Sequence, residues 1–233
     1  MNKCKMLNEL TRTQDLEGLT ATGARGMLIV VSSPSGGGKG TLIDRVLKTV
    51  PGVSYSVSYT TRAPRGTEQN GREYFFVSTD VFEDMIRDGE FLEWANVYGH
   101  LYGTNQRQVE SELSAGHDII LEIDVQGAAS IREKVNDAVS IFILPPSFEL
   151  LRQRLLSRGT DSPSDLDRRL RGAPAEVEQH RNFQYVILND DINRASQQLA
   201  AVIYAERARF ERQEARLKAT FKDFGQQSDK ILL

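Results

Sequence analysis

Residues Met27-Leu28-Ile29-Val30-Val31 form an unbroken apolar run that passes through Ser32 into Ser33-Pro34-Ser35-Gly36-Gly37-Gly38-Lys39-Gly40-Thr41. This stretch constrains the chain more than any other. An apolar run without a charge suits a strand buried on both faces. The glycines let the next turn tighten until several backbone N–H groups point at one anion. Leu42, Ile43, Val46, Leu47 and Val50 then recur at helical spacing, so a helix N-terminus and its partial positive charge lie beside that anion. Strand, turn, lysine and helix predict a phosphate cradle in which Lys39 reaches the terminal phosphates of a nucleotide.

The pattern G-x-x-x-x-G-K-[ST] is met imperfectly. Ser33 takes the first glycine position, and Gly40 stands where a magnesium-binding hydroxyl is usual. An ordinary glycine-rich strand-to-helix turn is the competing account. Thr41 comes one place late, which leaves magnesium to be held mainly by nucleotide oxygens and water.

At 233 residues the chain has room for one large domain or a core with inserted subdomains. A net charge of −3 and a pI near 5.7 argue against a general nucleic-acid-binding surface. Any anion site must therefore come from locally clustered arginines. Cys4 is the single cysteine, so no disulfide framework or zinc set is expected and a reducing compartment is. No segment matches a signal peptide or the ~18 apolar residues of a membrane span, and the expectation is a soluble, cytoplasmic protein. Residues 1–25 read as a flexible extension, with Leu7, Leu10, Leu16 and Leu19 able to form a short helix on a partner.

Further strands are expected at Val53–Ser58, Tyr74–Val77, Asp118–Asp124, Val139–Leu144 and Tyr185–Leu188, with helices at Asp80–Asp88, Gln106–Ala115, Ala128–Val135 and Phe148–Arg158. The alternation predicts an α/β domain with a mostly parallel sheet and a ligand site outside the carboxyl ends of its strands. The Arg-, Gly- and Tyr-rich stretch 56–104 reads as an inserted lobe, and 147–175 as a helical lid whose second helix starts at Ser162, Pro163 and Asp165. The core then comprises 26–55, 105–146 and 176–221. After Asn189 one long amphipathic helix is expected to about Phe221, with Leu199, Val202 and Ile203 on a stripe that packs on the core or on a second subunit. Residues 222–233 read as a tail.

Several groups suit nucleotide chemistry. Arg62 and Arg65 flank Pro64, a spacing fitted to gripping one phosphate from two sides, and Tyr74 adds a hydroxyl donor; a solvated surface pair is the bland alternative. Glu93 lies between apolar neighbours in Phe91-Leu92-Glu93-Trp94-Ala95. An ionised carboxylate accepts the paired N1–H and N2–H₂ donors of guanine and is mismatched to adenine, although an exposed helix-end charge would look the same locally. Glu122 and Asp124 share one face of their expected strand. Asp124 is the candidate for hydrated magnesium and Glu122 for a guanine or amine proton, against a pair of solvated edge acids. Arg154 and Arg158 lie one helical turn apart, followed by Arg168, Arg169 and Arg171; they would close over phosphates or face solvent. No general base stands out among His100, His117, His180 and the acids. A phosphate acceptor needs none, because its second pKa of about 6 leaves it already anionic.

With these pieces in order, the chain resembles the bacterial guanylate kinases, nucleoside-monophosphate kinases that move the γ-phosphate of ATP onto GMP. The likeness rests on Ser33–Thr41, Ser56-Val57-Ser58-Tyr59-Thr60-Thr61-Arg62 with Pro64-Arg65, Glu68 with Asn70-Gly71, Tyr74–Val77, Phe91–Ala95 and Tyr102-Gly103-Thr104. It continues through Ile123–Gly127, Ile141–Pro146, Arg158-Gly159-Thr160 and Asn189-Asp190-Asp191. The resemblance implies a three-layer P-loop core with an inserted GMP-binding lobe and a helical lid. It assigns the GMP phosphate to Arg62, Arg65, Tyr74 and Tyr102, and the guanine to Ser58, Glu93 and Thr104 with Glu122 and Asp124 nearby. Lys39, Arg154, Arg158 and Arg169 become the groups that stabilise transfer, and Asn189 lies on the adenine side. ATP, GMP and Mg²⁺ are the implied ligands. The Gly-Lys-Gly-Thr ending is similar to that of adenylate kinases. Domains of this family also serve as non-catalytic peptide-binding modules, but those carry degraded phosphate loops, whereas Lys39 and its glycines are intact.

Overall fold

The structure is a computed structural model and describes residues 25–158 and 162–231. The expectations for residues 1–24, including Cys4 and the leucine stripe, and for Gly159-Thr160-Asp161 lie outside the described residues. Five strands form an all-parallel sheet: β1 (Leu28–Ser32), β2 (Val53–Tyr55), β7 (Asp118–Glu122), β8 (Val139–Leu144) and β9 (Tyr185–Leu188), in the order β2-β7-β1-β8-β9. Along β1 the side chains alternate. Ile29 and Val31 join a cluster with Leu42, Ile43 and Val46 of α1 (Lys39–Thr49) and with Leu199 and Ile203 of α7 (Ile192–Arg207). Leu28 and Val30 face Val109 and Leu113 of α3 (Gln106–Ser114) and Ala128 and Ile131 of α4 (Val125–Lys134). Helices thus cover both faces, the three-layer arrangement that a period-2 apolar strand requires.

Between β2 and α3 the chain builds a second, mixed sheet in the order β4-β3-β6-β5, from β3 (Tyr59–Thr60), β4 (Phe75–Phe76), β5 (Phe91–Val97) and β6 (His100–Asn105), with α2 (Thr79–Arg87) between β4 and β5. Between β8 and β9 lie α5 (Phe148–Arg158) and α6 (Pro163–Glu178), which share Leu151, Leu155 and Ala173 as a small core. The helix start expected at Ser162 is where α6 begins: the Ser162 hydroxyl accepts the Asp165 N–H and Pro163 follows the cap.

Three expectations need correction, and one alternative falls. The strand at Val53 ends at Tyr55, after which Ser56 still donates its N–H to the Ile120 carbonyl before the chain leaves for the second sheet. Residues 91–105 form a hairpin, so Glu93 is a strand residue and not a helix-end charge. Asp124 has left β7; it is the N-cap of α4, accepting the Gly127 N–H at 3.0 Å. The helix expected to run unbroken to Phe221 is two helices, α7 and α8 (Phe210–Ile231), separated at Ala208–Arg209. The stripe on α7 is settled in favour of the core, since Leu199 and Ile203 are fully buried there. Among the described residues no helix is long and apolar enough to cross a membrane.

Candidate active site

The carboxyl ends of β1 and β7 open into a cavity of about 220 Å³ lined jointly by the glycine loop, the second sheet and α6. Its floor is the loop after Ser32. Gly36 and Gly38 have φ of 85° and 92°, values that side chains resist, and a Cβ on Gly38 would stand 2.4 Å from the Asn189 amide nitrogen. Lys39, at the first turn of α1, lines the cavity with Ser33, Ser35, Gly36, Gly37, Gly38 and Gly40. The first-turn N–H groups of α1 have no partner within the helix and so favour an anion there.

The loop is braced from behind. Asn189, 2% exposed, donates through its side-chain amide to the Gly37 carbonyl at 2.9 Å, while its side-chain Oδ1 is buried without a partner. Arg154 donates to the carbonyls of Gly37 and Asn189 at 3.3 and 3.1 Å. Both sequence candidates thus hold the loop's backbone, and neither lines the cavity. The Pro34 carbonyl accepts the Ser33 hydroxyl and the Gly37 N–H, and Thr41 is an exposed residue of the first helical turn. The side chain of Arg158 lies outside those described. Arg169 does line the cavity and donates to the Ser35 hydroxyl at 3.2 Å.

Across the cavity the second sheet brings together Ser58, Arg62, Arg65, Tyr74, Glu93 and Tyr102. Arg62 is 6% exposed, stacks over the Tyr74 ring at 5.2 Å and donates through Nε to the Tyr102 hydroxyl at 3.2 Å. Its two terminal nitrogens make a fork to Glu68 at 2.8 and 2.9 Å, and Glu68 also accepts the Arg65 N–H at 2.7 Å. One carboxylate therefore sets both arginines. Burial would raise the Glu68 carboxyl, but its bonds to Arg62 and Arg65 hold it below the ordinary value.

Period-2 alternation along β5 turns Phe91, Glu93 and Ala95 inward. Glu93 is 3% exposed, its Oε1 accepts the Thr104 hydroxyl at 2.6 Å, and burial pushes its carboxyl up to about 7. Asp124 adds to the rise, while the Thr104 bond and Lys134 oppose it. Gly127 makes room for this side chain, since a Cβ there would be 2.6 Å from Glu93 Oε2. Thr104 itself is buried behind the carboxylate. When ionised, a carboxylate so placed can accept paired hydrogen-bond donors.

Glu122 and Asp124 line the same cavity. Glu122 faces Gly40, where a Cβ would come 3.5 Å from its Oε2, and the Tyr55 hydroxyl donates to that oxygen at 3.4 Å. Both oxygens of Asp124 already accept bonds, from the Gly127 N–H and the Gln126 side chain. No group of three or more His, Cys, Asp or Glu able to hold a metal exists among the described residues. Such a site fits a hydrated magnesium that arrives on nucleotide phosphates, with hard oxygen donors from the protein at its edge.

The sequence alone assigns no role to Glu68 or Gly127, which the fold sets against Arg62, Arg65 and Glu93. His100 is exposed at the cavity lining. His117 faces Glu112 at 3.0 Å and His180 faces the Val177 carbonyl.

A family model described as guanylate kinase matches residues 25–206. The guanylate kinase of Thiobacillus denitrificans is 47% identical over 206 residues, covering 88% of this chain and 99% of that protein. That of Dechloromonas aromatica is 50% identical over 197 residues, covering 84% and 98%. The crystal structure of guanylate kinase from Anaplasma phagocytophilum matches with a TM-score of 0.68 and 35% identity, over 80% of this chain and 88% of that one. With the glycine loop, the second sheet and the buried carboxylate on one cavity, these matches mean that the chain belongs to the guanylate kinase family.

Proposed function

We propose that the protein transfers the γ-phosphate of ATP to GMP, giving ADP and GDP. The observation that carries this reading is Glu93: a buried carboxylate, backed by Thr104, in the same cavity as the Lys39 loop. One ionised carboxylate accepts both guanine donors, whereas adenine offers an acceptor at N1. Ser58 and Thr104 complete the guanine side, with Glu122 and Asp124 nearby. Arg62 and Arg65, with Tyr74 and Tyr102, hold the GMP phosphate as a dianion.

A GMP phosphate oxygen attacks the γ-phosphorus, and the bond from that phosphorus to the bridging oxygen breaks, the electron pair leaving with ADP. The attacking oxygen needs no base, since the second pKa of the phosphate is about 6. Lys39 and the first-turn amides of α1 neutralise charge on the donor, and Arg169 faces the transferred group from the lid. Arg154 and Asn189 act by keeping the loop in shape, and Arg158 is assigned to the lid's phosphate contacts. Magnesium bound to the ATP oxygens would be held by water and by Glu122 and Asp124, and would supply charge neutralisation. No residue is assigned to the ribose 2′-hydroxyl, so dGMP is expected as a second acceptor. A cytoplasmic location fits these substrates and the single cysteine.

Incubation with ATP labelled in its γ-phosphate, together with GMP, tests this directly. Label is expected in GDP; label confined to ATP or released only as inorganic phosphate would contradict the proposal.

A further inference from the structure

Tyr98 is the single non-glycine among the described residues with a left-handed backbone, at φ 54°. With Gly99, at φ 90°, it makes the two-residue turn of the β5–β6 hairpin, across which Val97 pairs with His100. Two successive positive φ values mark a type I′ turn, whose first central position favours Asn, Asp or Gly. A tyrosine there is strained and persists only where its surroundings hold it.

One face of α6 supplies that hold. The Tyr98 hydroxyl donates to Glu176 Oε1 at 2.7 Å, and Arg168 donates to the Tyr98 carbonyl at 3.1 Å. The Arg169 guanidinium lies 5.9 Å from the ring centre, and α6 passes so close at Gly172 that a Cβ would stand 2.9 Å from the hydroxyl. The second oxygen of Glu176 is turned the other way, accepting the Ser35 N–H at 2.9 Å, and Arg169 donates to the Ser35 hydroxyl at 3.2 Å. Residues 169 and 176 are seven apart and so share a helix face. Tyr98 belongs to the second sheet and Ser35 to the glycine loop, and they are joined through one carboxylate.

We infer that Glu176 and Tyr98 are positioning residues that dock the GMP-binding lobe onto the phosphate loop, so that filling the acceptor site tightens the donor site. This rests on the function proposed above. Two bonds from Glu176 and Arg169 tie α6 to Ser35, so helix and loop move together. The lobe joins them through the Tyr98 hydroxyl, ring and carbonyl. Closure of the lobe over GMP favours the docked state, which fixes Ser35 beside the ATP phosphates, and by reciprocity ATP must favour GMP by the same factor.

The test is calorimetric titration of the full chain with a non-hydrolysable ATP analogue, with and without saturating GMP. GMP is expected to tighten analogue binding in the unmodified protein by about fivefold or more, the lower end of ordinary coupling between sites. In Tyr98→Phe, which keeps the ring, and in Glu176→Ala the ratio is expected to fall to near one, with the double variant no lower than either single. Glu176→Gln, which keeps an acceptor for Ser35 and a donor for the tyrosine oxygen, should retain the coupling. An unchanged ratio in Tyr98→Phe and Glu176→Ala overturns the inference, even if their melting temperatures drop, because a merely structural contact would behave that way. Absence of coupling in the unmodified protein overturns it as well. GDP formation by the unmodified protein separates the two levels, since its absence sinks the proposed function itself.

Discussion

The Thr104 hydroxyl donates to Glu93 at 2.6 Å across the β5–β6 pair, where the two residues stand directly opposite each other. That bond stabilises the ionised carboxylate, yet burial outweighs it and leaves the Glu93 carboxyl at about 7. The folded state therefore holds this proton more tightly than the unfolded chain. Stability supplied by the protonated form is complete at pH below the unfolded value near 4.5 and is lost as pH rises through about 7. Glu93→Gln removes the ionised form and is predicted to raise the melting temperature at pH 8 by roughly 5–10 °C, with a smaller difference at pH 5. Thermal melts at the two pH values check this; a variant less stable than the parent at pH 8 would contradict it.

Glu68 touches no assigned substrate group, yet it accepts two bonds from Arg62 and one from the Arg65 backbone. Charge-assisted forks of this kind fix geometry as well as energy. Glu68→Gln keeps the shape but loses the charge and half of the fork. The expected result is a KM for GMP raised about tenfold with the KM for ATP little changed, measured by varying each substrate in turn. Equal losses for both substrates would point to general damage.

Gly127 lies in the first turn of α4, where alanine would ordinarily stabilise a helix by about 1 kcal/mol. Here the added Cβ would meet Glu93 Oε2 at 2.6 Å and Ile123 Cβ at 3.3 Å. Gly127→Ala is predicted to lower kcat/KM for GMP about a hundredfold by displacing the carboxylate. Initial rates across GMP concentrations decide it, and rates equal to the parent would show that Glu93 does not need its present position.

The nucleotide loop and the parallel sheet were legible because their signals are local. β1 announces itself by an apolar run, the turn by its glycines and α1 by its spacing, while β8 and β9 match their expected bounds. The β5–β6 hairpin was not, because its turn is Tyr98-Gly99 and lacks the Asn-Gly or Asp-Gly pair that marks such turns. Asp124 was read as a strand end since alternation continues through it, and only the Gly127 N–H makes it a cap. The break between α7 and α8 carries neither glycine nor proline at Ala208–Arg209. Of the site, Arg62, Arg65, Tyr74, Glu93, Tyr102 and Lys39 converge on one cavity. The supports of that site escaped because Ser35 and Glu176 are 141 positions apart, and no spacing rule reaches that far.

Base selection by a buried carboxylate beside a phosphate loop is the central claim, and an acceptor panel tests it most directly. Initial rates with ATP and GMP, dGMP, AMP, CMP or UMP should give a kcat/KM for GMP on the order of 10³-fold or more above AMP, CMP and UMP, as for sites that pair buried polar groups with substrate donors. Turnover of AMP or a pyrimidine monophosphate at rates matching or exceeding GMP would contradict the account.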